Sequence, residues 1–155
     1  MSTQKLQVGR ALPVIPSNFA CVPFPALTAA GTATAAAGSQ FSDSTKNFIT
    51  LQVGAGDIVY NTTTGAAGTV VSVLNATTLV LNTNAVAIGN AYSLYLGENN
   101  AGCVLYVGSA GSIRVTTAGG DDVTFAGVLA GQFIPVNVTK VWATGTGATS
   151  IIALW

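Results

Sequence analysis

From residue 103 onward, short runs of largely apolar residues are separated by glycine-rich stretches. Cys103-Val-Leu-Tyr-Val107, Ser112-Ile-Arg-Val-Thr-Thr117, Asp122-Val-Thr-Phe125, Phe133 to Trp142 and Ser150-Ile-Ile-Ala-Leu-Trp155 read as strands. Gly108-Ser-Ala-Gly111, Ala118-Gly-Gly-Asp121 and Gly145-Thr-Gly147 supply the turns between them. Within 133–142, Val136, Val138, Lys140 and Trp142 share one parity, with Pro135, Asn137, Thr139 and Val141 on the other. That predicts a half-buried strand with Pro135 at its start. The stretch from Phe41 to Leu96 repeats the theme. Asp57 to Asn61, Gly68 to Leu74, Thr77 to Leu81 and Ala91 to Leu96 are β-branched or aromatic runs. Asn61-Thr-Thr-Thr-Gly65, Asn75-Ala76 and Ile88-Gly89-Asn90 separate them. Strands about ten residues apart predict a small barrel or sandwich. Ser42-Asp43-Ser44 ahead of Thr45 to Phe48 reads as one capped helical turn.

The first 28 residues follow a different rule. Pro13, Pro16, Pro23 and Pro25 fall within thirteen residues. Each removes a backbone donor and biases its predecessor to extended geometry, so neither a helix nor a central strand forms. Leu12, Val14, Ile15, Phe19, Val22 and Phe24 make the segment too apolar for a free tail. It reads as an arm that lies either across a neighbouring subunit or back over its own domain. Residues 28–40, rich in Ala, Gly and Thr, read as a connection leading into a strand. The resulting organisation is an arm over 1–28, an inserted β module over 29–97 and a base domain over 98–155. The fold class is all-β: an antiparallel β-sandwich or barrel base carrying a small barrel-like insert and the extended arm.

Composition sharpens this picture. Half the residues are apolar, only 6% are charged, five cations balance five acids, and histidine is absent. Mean hydropathy is +0.58. Five scattered cations cannot supply the basic surface that nucleic-acid binding requires. No apolar run reaches the roughly 18 residues of a membrane helix, and Pro13 and Pro16 interrupt what would be a secretory leader. So little charge on so apolar a chain predicts surface buried against copies of itself or a larger scaffold. Cys21 and Cys103 form no metal-ligand spacing and read as two buried free thiols.

Catalytic chemistry has little to work with. Ser–His–Asp and Cys–His arrangements need histidine, and nothing poises Lys5, Lys46 or Lys140 beside a serine. Asp121-Asp122 follows Gly119-Gly120 and reads as turn chemistry rather than a glycosidase pair. Asp43 and Asp57 read as a cap and a strand-start residue. Gly54-Ala-Gly56 and Gly108 to Gly111 precede no helix, so they do not read as phosphate cradles. Asn61, Asn75 and Asn137 fit the glycosylation pattern as chance matches in an Asn- and Thr-rich chain. Trp142, Trp155 and the tyrosines read as core or interface anchors rather than a sugar platform. The expectation is a protein that is no enzyme and takes no cofactor or metal.

Gly102 to Asp121, Val123-Thr-Phe-Ala-Gly-Val128 and Val141 to Trp155 resemble small structural proteins of tailed bacteriophages, some of which are capsid cement or decoration proteins. Arg10-Ala-Leu-Pro-Val-Ile-Pro16 is similar to the opening of such proteins. Val53 to Asn61 and the residues after it are similar to a β module inserted in many virion proteins. The resemblance implies a capsid-surface protein made in the host cytoplasm. Its partners would be the major capsid protein at capsomer junctions and itself, as a homotrimer, with no nucleic acid and no membrane. The contacts it suggests are Arg10, Leu12, Val14, Ile15, Phe19, Phe24, Trp142 and Trp155. The alternative is a head-fibre or tail-tip adhesin that binds host glycans through the 41–96 module.

Overall fold

The computed structural model describes residues 8–97 and 101–155. Among them there are thirteen strands and no helix, so the chain is all-β. In chain order they are β1 Ala11–Pro13, β2 Leu27–Thr32, β3 Ala35–Ala37, β4 Gln40–Ser42, β5 Ile58–Asn61, β6 Ala66–Asn75 and β7 Thr78–Leu81. Then follow β8 Ala91–Tyr95, β9 Cys103–Val107, β10 Gly111–Thr117, β11 Asp122–Val128, β12 Phe133–Val141 and β13 Ile151–Leu154. They build two antiparallel sheets packed together in sandwich fashion. The six-stranded sheet has the order β1-β13-β9-β12-β10-β11, and the seven-stranded sheet β2-β8-β5-β6-β7-β4-β3.

Alternation decides the first core. Cys103, Leu105 and Val107 of β9, Ile113 and Val115 of β10, and Ile151 and Ala153 of β13 point inward. They meet Val128, Ile134, Val138, Val141, Ala148 and Val22. Fully burying one such aliphatic side chain is worth about 1.5–3 kcal/mol. The buried positions of β12 depart from simple parity. Val115 pairs with Val141 and Thr116 with Lys140, but Thr117 pairs with Val138, leaving Thr139 as an extra residue. This bulge turns both Val138 and Val141 inward, although they lie three apart. Thr139 Oγ1 donates to the Thr116 carbonyl at 3.2 Å. Pro135 is not at the start of the strand either. Phe133 and Ile134 already pair with Tyr106 and Leu105, and pairing to β9 resumes only at Val138. Pro135 thus sits in an interrupted ladder, where its missing N–H costs no strand bond.

Gly111 marks a backbone crossing in this core. A Cβ there would lie 2.5 Å from Ala148 N and 2.8 Å from the Gly147 carbonyl carbon. Gly111→Ala is therefore expected to cost about 2–4 kcal/mol, read as a lowered urea midpoint. An unchanged midpoint would mean that the 145–149 loop yields freely.

In the second sheet, residues 28–40 are not a connection. They form β2, β3 and the first residue of β4. Small side chains hide the alternation here, and at Gly31 a Cβ would run into Asp43 Oδ2. Ala37 pairs with Gln40, so Gly38-Ser39 is a two-residue hairpin loop with Gly38 at φ +60°. The long strand β6 pairs first with β5 and then, through two irregularities, with β7. Edge strands β2 and β3 are separated in the chain by residues 33 and 34 alone. Two residues reach only about 10 Å, so the two edges meet at a corner and the sheet is rolled. Its interior holds Phe41, Phe48, Val59, Leu79, Tyr92 and Leu94, with the Phe41 and Tyr92 rings edge-on at 4.9 Å.

Residues 42–48 make no helical turn. Asp43 Oδ1 instead accepts from Thr45 N at 2.9 Å and Thr45 Oγ1 at 2.6 Å. Local capping chemistry is satisfied without a helix. Asp43 is fully buried, and Tyr92 donates its hydroxyl to Oδ2 at 2.8 Å. Burial opposes ionisation of Asp43. The hydrogen bonds from Thr45 and Tyr92, with Lys46 nearby, outweigh it and hold the carboxyl below its usual range.

Residues 8–26 take the second of the two courses open to them and lie on their own chain. Val14 N donates to Ile151 O, Ser17 N to Val141 O and Val22 N to Thr139 O, all at 2.8–2.9 Å. The Phe19 carbonyl accepts from Thr69 Oγ1 and Asn82 Nδ2, both at 2.8 Å. The segment thus fills the seam between the sheets. There Leu12 and Ala20 pack with Ile58, Tyr60 and Ala67, and with the partly buried Ile15, Tyr95 and Trp155. Strand β1 is an edge, where Pro13 is tolerated.

Candidate interaction surface

The eight contact residues expected from the sequence scatter. Leu12 is buried in the seam, while Val14 and Ile15 are half-buried against the two neighbouring clusters. Those three are spent on the fold. Phe24 packs edge-on to Trp155 at 5.8 Å. Arg10 is exposed, lies over the Phe24 ring at 5.4 Å and donates to the Pro25 carbonyl at 3.0 Å. Trp155 is held by its own chain, its N donating to Arg10 O while Gly9 N and Arg10 N donate to its carbonyl. Its Nε1 is buried without a hydrogen bond. Phe19 is half exposed at the mouth of the seam.

Trp142 lies on the outward face of the six-stranded sheet, in a polar cluster at the β12–β10–β11 end. Lys140 Nζ is 3.8 Å and Arg114 Cζ 4.4 Å from its ring centroid. Its Nε1 donates to Thr116 Oγ1 at 2.9 Å. Arg114 grips Asp122 in a fork, Nε to Oδ1 at 3.0 Å and Nη2 to Oδ2 at 2.6 Å. That bond raises the Arg114 pKa and lowers that of Asp122. Asp121 does hold the turn, exchanging bonds with Thr117. Asp122 does not: it is the first residue of β11 and an ion-pair partner. Asp57 is buried and ties two turns together, accepting from Gly54 N and Gly97 N.

The other half of that outward face is apolar. Cross-strand pairing aligns Pro13, Ile152, Tyr106 and Phe133 in one row, and Ala11, Leu154 and Val104 in the next. The Tyr106 and Phe133 rings meet edge-on at 5.5 Å, and Phe133 is half exposed. Beside them a groove of about 340 Å³ is lined by Val104, Phe133, Pro135, Val136 and Asn137. No charged side chain lies in either row. Of the eight expected contacts, none falls here. A signal was available: 103–107 and 151–154 are apolar at both parities, as in strands with two covered faces.

Cys103 is buried and its Sγ donates to Val138 O, but Cys21 is exposed, contrary to the expectation of two buried thiols. Its neighbours Ala20 and Val22 are the residues that turn inward here, which leaves Cys21 on the outer side of the segment. Both thiols are free. Burial pushes the Cys103 thiol up to about 12. The Tyr60 hydroxyl, buried without a well-formed hydrogen bond, is raised chiefly by burial, with the Ile15 backbone opposing. Among the described residues, no three His, Cys, Asp or Glu side chains gather where they could hold a metal ion. No family model matches the chain, and no curated protein or solved structure is found to be similar to it.

Proposed function

We propose that this chain is a capsid cement protein of a tailed phage, a non-enzymatic part that binds the major capsid protein at capsomer junctions and stabilises the mature head. The observation that supports this reading is the exposed apolar surface of a chain with so few charges. Phe133 and Leu129 in the 98–155 part are each half exposed or more. Large apolar side chains in water gain by being covered, at about 25 cal/mol per Å². Small patches suit a partner that presents many sites at once, because linked weak contacts multiply into tight binding. In this reading residues 1–28 and 98–155 form the base that sits on the shell, residues 29–97 project from it, and three copies associate. The protein is made in the host cytoplasm and needs no cofactor, nucleic acid or membrane.

The glycan-adhesin alternative draws less support. In the 41–96 stretch Phe41, Phe48, Tyr60 and Tyr92 are buried and Tyr95 is half-buried, leaving no open aromatic platform for sugar stacking. Copy number separates the two. Quantitative mass spectrometry of purified virions is expected to find hundreds of copies per particle; a handful would point to a tail component instead.

A further inference from the structure

Resting on that reading, we infer that the outward face formed by Val104, Tyr106, Phe133, Pro135, Ile152 and Leu154 is the surface that meets the shell. This replaces the proline-rich segment, whose apolar side chains are largely consumed in the seam. Two observations select the occupant.

The first is charge. The rows across β1, β13, β9 and β12 carry none, while Arg114, Lys140 and Asp122 gather at the far end of the same sheet. A matching surface must therefore be uncharged at its centre, because an unpaired charge buried there would be costly.

The second is area. Four strands about 4.8 Å apart and three residues long give a footprint on the order of 200 Å². A standard interface takes about 800 Å² from each partner. A second copy stacked on this face would bury about 400 Å² in total, which belongs to the range of weak packing contacts. About four such footprints held at once reach the standard size. A repeating shell provides that arrangement; one free copy does not. The occupant is an uncharged apolar surface on the shell subunit, seated around Phe133 and the groove beside Pro135.

The test compares binding of full-length protein to purified shells that lack it, by co-sedimentation, with the oligomeric state followed by analytical ultracentrifugation. Phe133→Lys and Pro135→Lys change exposed side chains, so the melting temperature is expected to stay within a few degrees. Each is expected to weaken shell binding at least ten-fold and to leave the oligomeric state of the wild type intact. Leu74→Lys, equally exposed but on the other sheet, is expected to bind within two-fold of wild type. Unchanged binding by the first two variants overturns the inference. So does a changed oligomeric state, which would assign the face to a second copy, or an equal loss with Leu74→Lys. Failure of the wild type itself to bind shells overturns the functional reading, and the inference with it.

Discussion

A chain beginning at residue 26 is expected to lose cooperative folding of the six-stranded sheet, not merely its binding. The missing segment supplies edge strand β1, the Val22 side chain of the main core, and Leu12 and Ala20 of the seam. Leu12 and Val22 alone account for about 3–6 kcal/mol of burial, against a total stability of about 5–15 kcal/mol for a domain. Backbone donors from Val14, Ser17 and Val22 to β12 and β13 disappear as well. Cys103 is the reporter. It is 1% exposed in the intact fold, and in the truncated chain it should react with a thiol reagent within minutes in the absence of denaturant. A sharp urea transition with Cys103 still protected would show that the segment is dispensable. Because truncation confounds folding with binding, point changes on the outward face are the informative variants.

Stability is expected to fall steeply at alkaline pH. Burial raises the pKa of Tyr60, Tyr92 and Cys103, and for Tyr92 the neighbouring Asp43 carboxylate adds to the effect. All three are neutral when protonated, so the fold retains protons that the unfolded chain releases. Below pH 9 both states are protonated and these groups add no pH dependence. Above pH 9 for Cys103, and above about pH 10 for the tyrosines, the unfolded state binds fewer protons and the free energy of unfolding drops. Between pH 10 and 11 the three together remove on the order of 3 kcal/mol. Urea midpoints measured from pH 7 to 11 should be level and then collapse. Tyr60→Phe should flatten the fall by about a third, since the hydroxyl it deletes has no well-formed hydrogen bond to lose. A level profile to pH 11 would mean that these side chains are more hydrated than the structure shows.

How much was legible in the sequence varied with side-chain contrast. The C-terminal strands were readable because runs of large apolar residues around Leu105, Val107, Ile113, Val115 and Ile151 are set off by glycine-rich turns. Residues 28–40 were not. Ala, Gly and Thr differ too little in hydrophobicity to show a face, and only tertiary pairing with β8 makes β2 a strand. Bulges are also invisible to parity, so Val141 was assigned to the wrong side of β12. The destination of the proline-rich segment depended on hydrogen bonds to β12, β13 and Thr69, which are distant in sequence. The candidate surface was missed for a related reason. Tyr106 and Ile152 look like core residues in a strand, and only the pairing of β13 with β9 shows that their row lies on the face opposite Leu105, Val107, Ile151 and Ala153 of the core.

The claim at the centre is that this protein holds a shell together by covering apolar surface at many equivalent points. The direct measurement is the temperature at which purified shells open, recorded without the protein and after saturating addition of it. The account predicts that bare shells open at a lower temperature and that added wild-type protein restores the higher one. An opening temperature that does not change at saturation would contradict it.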